Sequence, residues 1–217
     1  MPVSAPPEGF GARVERALSS FSLAGIAPSV KQQLTAYCAL TVVWGERIDL
    51  TAARSADELV DLLLADAFAI ASSLDAPCAD QRWFDVGSGV GAPGIALALL
   101  LPVKMTLIEP REKRVAFLRT AVGSLSRPDI SVSRTRSDVF PAASCEVAVS
   151  RATLPPPEWV AEGARLATSS LWLLLAKAGL PALGTRRVLA DIRYRWPLTG
   201  AERRAVCLSA GAPPTGP

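Results

Sequence analysis

One ten-residue run in this chain carries the densest chemical signal: Asp85-Val86-Gly87-Ser88-Gly89-Val90-Gly91-Ala92-Pro93-Gly94. Three close glycines let the backbone turn tightly and leave room for a ligand against the main chain. Pro93 can open the next helix, where the N–H it lacks is not needed. Glu109 follows Gly89 by 20 residues. At that distance a carboxylate at the end of the next strand can accept both ribose hydroxyls of an adenosine. Such a glycine loop alone is a weak sign. Set between two strands, with the acid in place, it points to an adenosine-containing cofactor. The plain alternative is a tight turn with a surface glutamate.

The spacing Gly87-x-Gly89-x-x-Ala92 formally fits the dinucleotide fingerprint, in which Ala can replace the third Gly. Two features argue against a nicotinamide cofactor. Pro93-Gly94 would fall in the first turns of the helix that cradles a pyrophosphate, and no residues remain for a separate substrate domain. S-adenosylmethionine has no phosphate. It needs open backbone beside its methionine half and an acid for its ribose, and both are present here.

The elements that must position these residues follow from periodicity. Residues 8–73 read as helical, with Val30, Leu34, Tyr37, Thr41 and Trp44 on one face at spacings of three and four. Leu59, Leu62, Leu63, Asp66 and Ile70 continue the pattern, Asp57 and Glu58 favour a helix start after Ser55, and Asp75-Ala76-Pro77 breaks the run. The period then changes. Strands are predicted over 82–86, 104–109, 130–132, 145–150 and 170–176, with helices over 94–101, 111–125 and 157–167 between them. Two late strands, 188–195 and 203–208, can form a hairpin across Pro197-Leu198-Thr199-Gly200. Strand–helix alternation means a mainly parallel sheet with helices on both faces, and the hairpin adds one antiparallel strand. Ligands bind such sheets at the carboxyl ends of the strands, so function is expected just after Val86, Ile108, Val132 and Val149.

Composition narrows the chemistry. The chain has 217 residues, half of them apolar, which is enough for a real core. It contains no histidine. Ser-His-Asp and Cys-His catalysis and histidine acid–base chemistry are therefore excluded. Cys38, Cys78, Cys145 and Cys207 lie far apart, which argues against a zinc site and for ordinary, mostly buried thiols. No apolar run reaches the roughly 18–20 residues of a membrane span. Met1-Pro2-Val3-Ser4-Ala5-Pro6-Pro7 has neither the basic end nor the apolar stretch of a secretory signal, so the expected compartment is the cytoplasm. Residues 1–80 carry five basic and ten acidic side chains, whereas 81–217 carry eighteen basic and ten acidic. Arginine dominates, with lysine only at Lys31, Lys104, Lys113 and Lys177. A basic, arginine-rich second part suits a nucleic-acid partner, although a solvated surface would look the same.

Several segments together resemble the bacterial small-subunit ribosomal RNA guanine-N7 methyltransferases, the RsmG or GidB family. They are the glycine loop, Leu107-Ile108-Glu109, Lys113-Arg114-Val115-Ala116-Phe117-Leu118-Arg119, Asp49-Leu50-Thr51-Ala52, Arg136-Ser137-Asp138 and Ser150-Arg151-Ala152. The resemblance spans residues 30–177. It implies a Rossmann-like class I S-adenosylmethionine-dependent methyltransferase fold: a mostly parallel seven-stranded α/β sheet with a C-terminal antiparallel hairpin, plus N-terminal helices. Residues 1–80 would be the helical region, 81–210 the methyltransferase domain and 211–217 a flexible tail.

The same resemblance implies roles. Gly87, Ser88, Gly89 and Ala92 would line the methionine half of S-adenosylmethionine, Glu109 would hold its ribose, and Ser137 and Asp138 would flank its adenine. Arg151 would lie near both cofactor and incoming base. Lys177 would face RNA. Independently of the resemblance, the basic Arg111, Lys113, Arg114, Arg134 and Arg136 fall close to the expected mouth and could meet RNA phosphate, with a solvated helix face as the plain alternative for 111–119. The expected partner is 16S rRNA or the small ribosomal subunit, met by a monomer with no membrane or metal. No single residue is assigned as catalytic, because guanine N7 has a free lone pair and no proton to remove. The family usually has a Lys-His pair where this chain has Leu62-Leu63, Ser at Ala67 and Asn at Asp49. These departures keep two alternatives in view: another RNA or small-molecule acceptor, or a cofactor-binding relative without rRNA activity.

Overall fold

Short, largely apolar strands buried on both faces build the sheet at the centre of the molecule. The computed structural model describes residues 9–74, 79–176 and 179–211. Its strands are β1 (Arg82–Val86), β2 (Lys104–Ile108), β3 (Ile130–Ser133), β4 (Cys145–Arg151), β5 (Ala167–Leu175), β6 (Val188–Arg195) and β7 (Glu202–Ser209). They form one seven-stranded sheet in the order β3-β2-β1-β4-β5-β7-β6. The first five run parallel, and β7 lies antiparallel between β5 and β6. Alternate residues face opposite layers. Trp83, Val147, Val149, Trp172 and Cys207 point into one core, while Phe84, Val86, Ala148, Leu173 and Val206 point into the other.

The helices are α1 (Phe10–Ser20), α2 (Pro28–Gly45), α3 (Ala56–Val60), α4 (Asp66–Ser72), α5 (Gly94–Leu100), α6 (Glu112–Leu125) and α7 (Pro156–Leu166). A π turn, Asp61–Ala65, joins α3 to α4. Helices α1 to α6 cover the first face, and α7 covers the second with Trp159 and Val160. One apolar cluster runs from Phe10 through Leu64 and Ile95 to Cys207, so the N-terminal helices share the sheet's core.

The helical reading of residues 8–73 is interrupted in two places. The chain turns at 21–27 and runs irregularly through 46–55. In the second stretch side-chain oxygens take the N–H groups a helix would use. Thr51 Oγ1 accepts from Ala53 N–H, Ser55 Oγ from Glu58 N–H, and Glu58 Oε2 from Arg54 N–H. The Ser55 cap, with the Glu58 carboxylate reaching back to Arg54, resembles a capping box shifted by one residue and starts α3 where Asp57 and Glu58 indicated. Other boundaries differ by up to three residues. The expected loose start, the break at Asp75-Ala76-Pro77, Cys78, Lys177 and all but Gly211 of the expected tail lie outside the described residues. Among the described residues no helix is long and apolar enough to cross a membrane. Burial pushes the thiols of Cys38, Cys145 and Cys207 upward, which keeps them unreactive.

Candidate functional site

The chain leaves β1 in a turn that only glycine accommodates readily. Gly87, Gly89 and Gly91 have φ of 71°, 58° and 91°, the left-handed region costly for other residues. The Gly87 and Ser88 amides both donate to the Ile108 carbonyl, at 2.8 and 3.1 Å, which stitches the loop to the end of β2. Ser88 Oγ donates back to the Asp85 carbonyl. From behind, the Tyr37 hydroxyl of α2 donates to the Val90 carbonyl at 2.8 Å.

The expectation that all three glycines leave ligand space is corrected. A Cβ on Gly87 would lie 2.0 Å from Thr153 Oγ1, and one on Gly91 would lie 2.5 Å from Ile95 Cδ1. Those hollows are filled by the protein's own side chains. At Gly89 the nearest atom would be Arg114 Nη1 at 3.6 Å, an ordinary contact, so this glycine alone of the three has room for a Cβ. Gly94 has a packing role, since a Cβ there would meet Asp85 Oδ2 and Leu107 Cδ2 at 2.5 Å.

Asp85 anchors the start of α5: its Oδ2 accepts from Gly94 N–H at 3.0 Å. The buried Oδ1 makes no hydrogen bond among the described residues. Burial pushes the Asp85 carboxyl up to about 7, against the lowering effects of the Gly94 amide and Arg151. Glu109, at the end of β2, is only 3% exposed. Its Oε2 accepts from Gly89 N–H and its Oε1 from Arg111 N–H, each at 2.9 Å. The carboxylate is thereby fixed, with a second lone pair on each oxygen available to the cavity beside it.

That cavity measures about 720 Å³ and opens at the carboxyl ends of β1, β2 and β4, within the size range of a cofactor site. Of the sequence-derived candidates, Gly87, Ser88, Gly89, Ala92, Glu109, Arg111, Ser137 and Arg151 line it. Asp138 does not. It sits in a short turn with its side chain outward, 3.4 Å from Arg136. Arg114 and Arg136 reach the wall, as does the whole Asp49–Ala52 segment. Arg134 instead pairs with Glu112.

One buried group escaped the sequence reading as a site residue. Asp66 was placed on an apolar helix face, and it is 1% exposed. Its Oδ1 accepts from the Tyr194 hydroxyl at 2.8 Å and from Trp196 Nε1 at 3.0 Å, while Oδ2 meets Arg151 Nη1 at 3.1 Å. Arg151 Nη1 also donates to the Leu62 carbonyl. Asp61 likewise takes the turn between β6 and β7, accepting from Leu198 N–H, Thr199 N–H and Thr199 Oγ1. Residues five apart on an α-helix face about 140° away from each other. The π turn between them brings both carboxylates to the same hairpin, and such turns recur at functional sites. The available signal was a lone Asp in an apolar stripe, since a buried carboxylate requires partners.

Open backbone at Gly89, a fixed acid 20 residues on and a cavity of this size fit an adenosine-bearing ligand. Comparison with known proteins agrees. The family model described as rRNA small subunit methyltransferase G (GidB) matches residues 30–179. A protein of that name from Pseudomonas paraeruginosa is 37% identical over 124 residues, 56% of each chain. One from Bordetella avium is 33% identical over 156 residues, 69% of each chain. This chain thus spans about half the length of the first of these relatives. Among solved structures, a SAM dependent methyltransferase from Aquifex aeolicus superposes with TM-score 0.52 at 15% identity, over 70% of this chain and 92% of that one. P. horikoshii TYW2 in complex with MeSAdo gives 0.52 at 12% identity, over 67% and 62%. These two share the fold, a Rossmann-like class I methyltransferase sheet. The match across residues 30–179 shows more: the chain belongs to the rRNA small subunit methyltransferase G family.

Proposed function

We propose that the chain is an S-adenosylmethionine-dependent methyltransferase acting on N7 of a guanine in 16S rRNA. The observation that carries this reading is the Gly89–Glu109 pair at the floor of the main cavity, in a chain of this family. Glu109 would hold the ribose, with Ser88, Gly89 and Ala92 beside the methionine half. Gly87 would shape the loop, its own hollow being filled by Thr153. Ser137 would lie against the adenine, and Asp138 would act at the rim from its outward position. Arg151 would orient the accepting base. Arg111 and Lys177 would meet RNA phosphate, in binding that weakens steeply with salt. An enzyme of this kind works in the cytoplasm, where ribosomal RNA is found.

When bound, the cofactor supplies a methyl on a positively charged sulfur: the N7 lone pair forms the new N–C bond, the C–S pair stays on sulfur, and the positive charge passes to the purine. N7 carries no proton, so the chain needs no general base, in keeping with its lack of histidine. Its residues have to align the partners and exclude misplaced water. Good alignment is worth on the order of 7–11 kcal/mol.

The test is calorimetric titration with S-adenosylmethionine, followed by methyl transfer to 16S rRNA and to small subunits. Micromolar binding and one methylated guanine N7 are expected. No binding, with or without RNA, would sink the reading. A second reading rests on Leu62, an apolar wall of the main cavity where the family carries a basic residue. It is an RNA acceptor other than 16S rRNA. Cofactor binding with no transfer to 16S rRNA would favour it.

A further inference from the structure

A smaller recess of about 230 Å³ adjoins the main cavity, sharing Leu62, Arg151 and Ala152 with it. Its remaining polar wall is Asp66, Tyr194, Trp196 and Arg203. Three of these come from the C-terminal hairpin, which is remote in sequence from the glycine loop. The space suits one planar ring system rather than a folded strand.

The wall's chemistry favours an electron-rich ring. Asp66 is 1% exposed, its Oδ1 taken by Tyr194 and Trp196 and its Oδ2 by Arg151, so it organises the wall. Burial and the neighbouring Asp66 push the Tyr194 hydroxyl upward, which keeps it a donor to that acid. Arg151 makes both of its contacts through Nη1. Among the described residues, its Nε and Nη2 have no partner, and its side chain is 21% exposed. The Arg203 guanidinium lies 3.8 Å over the Trp196 ring, presenting a planar cation beside the recess. Bases extruded from RNA are held in this way, by stacking on flat groups and hydrogen bonding at an edge.

We propose that this recess holds the methyl-accepting purine against the stacked Arg203–Trp196 pair, with Arg151 donating to its O6. The inference rests on the methyltransferase reading of the adjoining cavity. Guanine presents two acceptors, N7 and O6, on its major-groove edge, whereas adenine presents a donor in place of O6. With N7 committed to the methyl group, O6 is the acceptor left for Arg151, and adenine is disfavoured. Asp66 is a positioning residue: it fixes Arg151, Tyr194 and Trp196 without touching the base.

The test uses the full chain, nitrogen-15 labelled, saturated with S-adenosylhomocysteine and titrated separately with guanosine, adenosine and inorganic phosphate. The Trp196 indole N–H is assigned with Trp196→Phe. Guanosine is expected to shift that signal, and adenosine to shift it at least about fivefold less at equal concentration. Arg203→Ala, at a half-buried position and checked for an unchanged denaturant midpoint, is expected to weaken guanosine at least about fivefold with S-adenosylhomocysteine affinity unchanged. An unmoved indole, an equal shift with phosphate, or unchanged guanosine affinity in Arg203→Ala would overturn the proposal. A Gly89 amide that ignores S-adenosylhomocysteine would count against the methyltransferase reading itself, and is read from a different signal.

Discussion

The Gly89 amide and the Glu109 carboxylate meet at 2.9 Å, tying the one of the loop's three left-handed glycines that has room for a Cβ to the acid beside it. The second oxygen of Glu109 holds the Arg111 amide just before α6. The carboxylate thus serves the loop and the cavity together. Glu109→Ala removes both functions. S-adenosylmethionine affinity is expected to fall about 100-fold, since hydrogen bonds to a charged group contribute about 1.5–3 kcal/mol each. Glu109→Gln keeps one acceptor and is expected to lose about tenfold. Calorimetric titration of the three proteins orders them.

Gly87 and Gly89 should respond differently to the same change. Gly87→Ala drives a methyl into Thr153, so it is expected to cost about 3 kcal/mol of stability from overpacking and the left-handed backbone. Thr153→Gly should restore part of that loss. Gly89→Ala meets nothing closer than 3.6 Å and is expected to cost about 1 kcal/mol while still weakening the cofactor. Denaturant midpoints alongside cofactor titrations separate the two effects. Equal stability losses would contradict the packing described.

Asp66 and Asp61 both bind the C-terminal hairpin, but only Asp66 pairs with an arginine. Asp66→Ala leaves Arg151, the Tyr194 hydroxyl and the Trp196 indole without their acceptor. A loss on the order of 3 kcal/mol is expected. Asp61→Asn keeps one oxygen for Thr199 and should lose about 1 kcal/mol. Hydrogen exchange on β6 and β7 should speed up in both variants, more so in Asp66→Ala.

Stability should depend on pH through Asp85. Burial raises its carboxyl to about 7 in the folded chain, well above its unfolded value of about 4. The folded state therefore binds this proton more tightly than the unfolded state. Its contribution is complete below about pH 4 and is lost as pH rises to about 7, by on the order of 4 kcal/mol. Ordinary carboxylates complete their titration by about pH 5.5, and with no histidine in the chain Asp85 and Asp61, whose carboxyl burial also raises, are left to titrate above that. Urea melts from pH 4 to 8 should show the decline, and Asp85→Asn should flatten it. An Asp85→Asn protein as pH-sensitive as the parent would contradict the raised value.

The sheet was legible because its signals are local. The short strand Arg82–Val86 before its glycine turn, the alternating strand 188–195 and the helix carrying Val115 and Leu118 need only their own residues to be read. The glycine loop and Glu109 were legible for the same reason: each sits at a strand end, and strand order brings the ends together. The irregular 46–55 stretch was missed because Thr51, Ser55 and Glu58 compete for backbone amides in a way no periodicity reveals. The division of labour among Gly87, Gly89 and Gly91 depended on Thr153 and Ile95, and the former lies far along the chain.

By itself, the order of residues determined a parallel α/β sheet closed by a hairpin, a glycine turn after β1 and an acid after β2. Each follows from spacing within about 25 residues. Only the tertiary structure decided that the N-terminal helices share the sheet's core and that Asp66 meets Tyr194 and Trp196, 128 and 130 residues away. A buried carboxylate must find donors, but its sequence neighbours do not say which. The π turn and the packing of the hairpin against it make that choice.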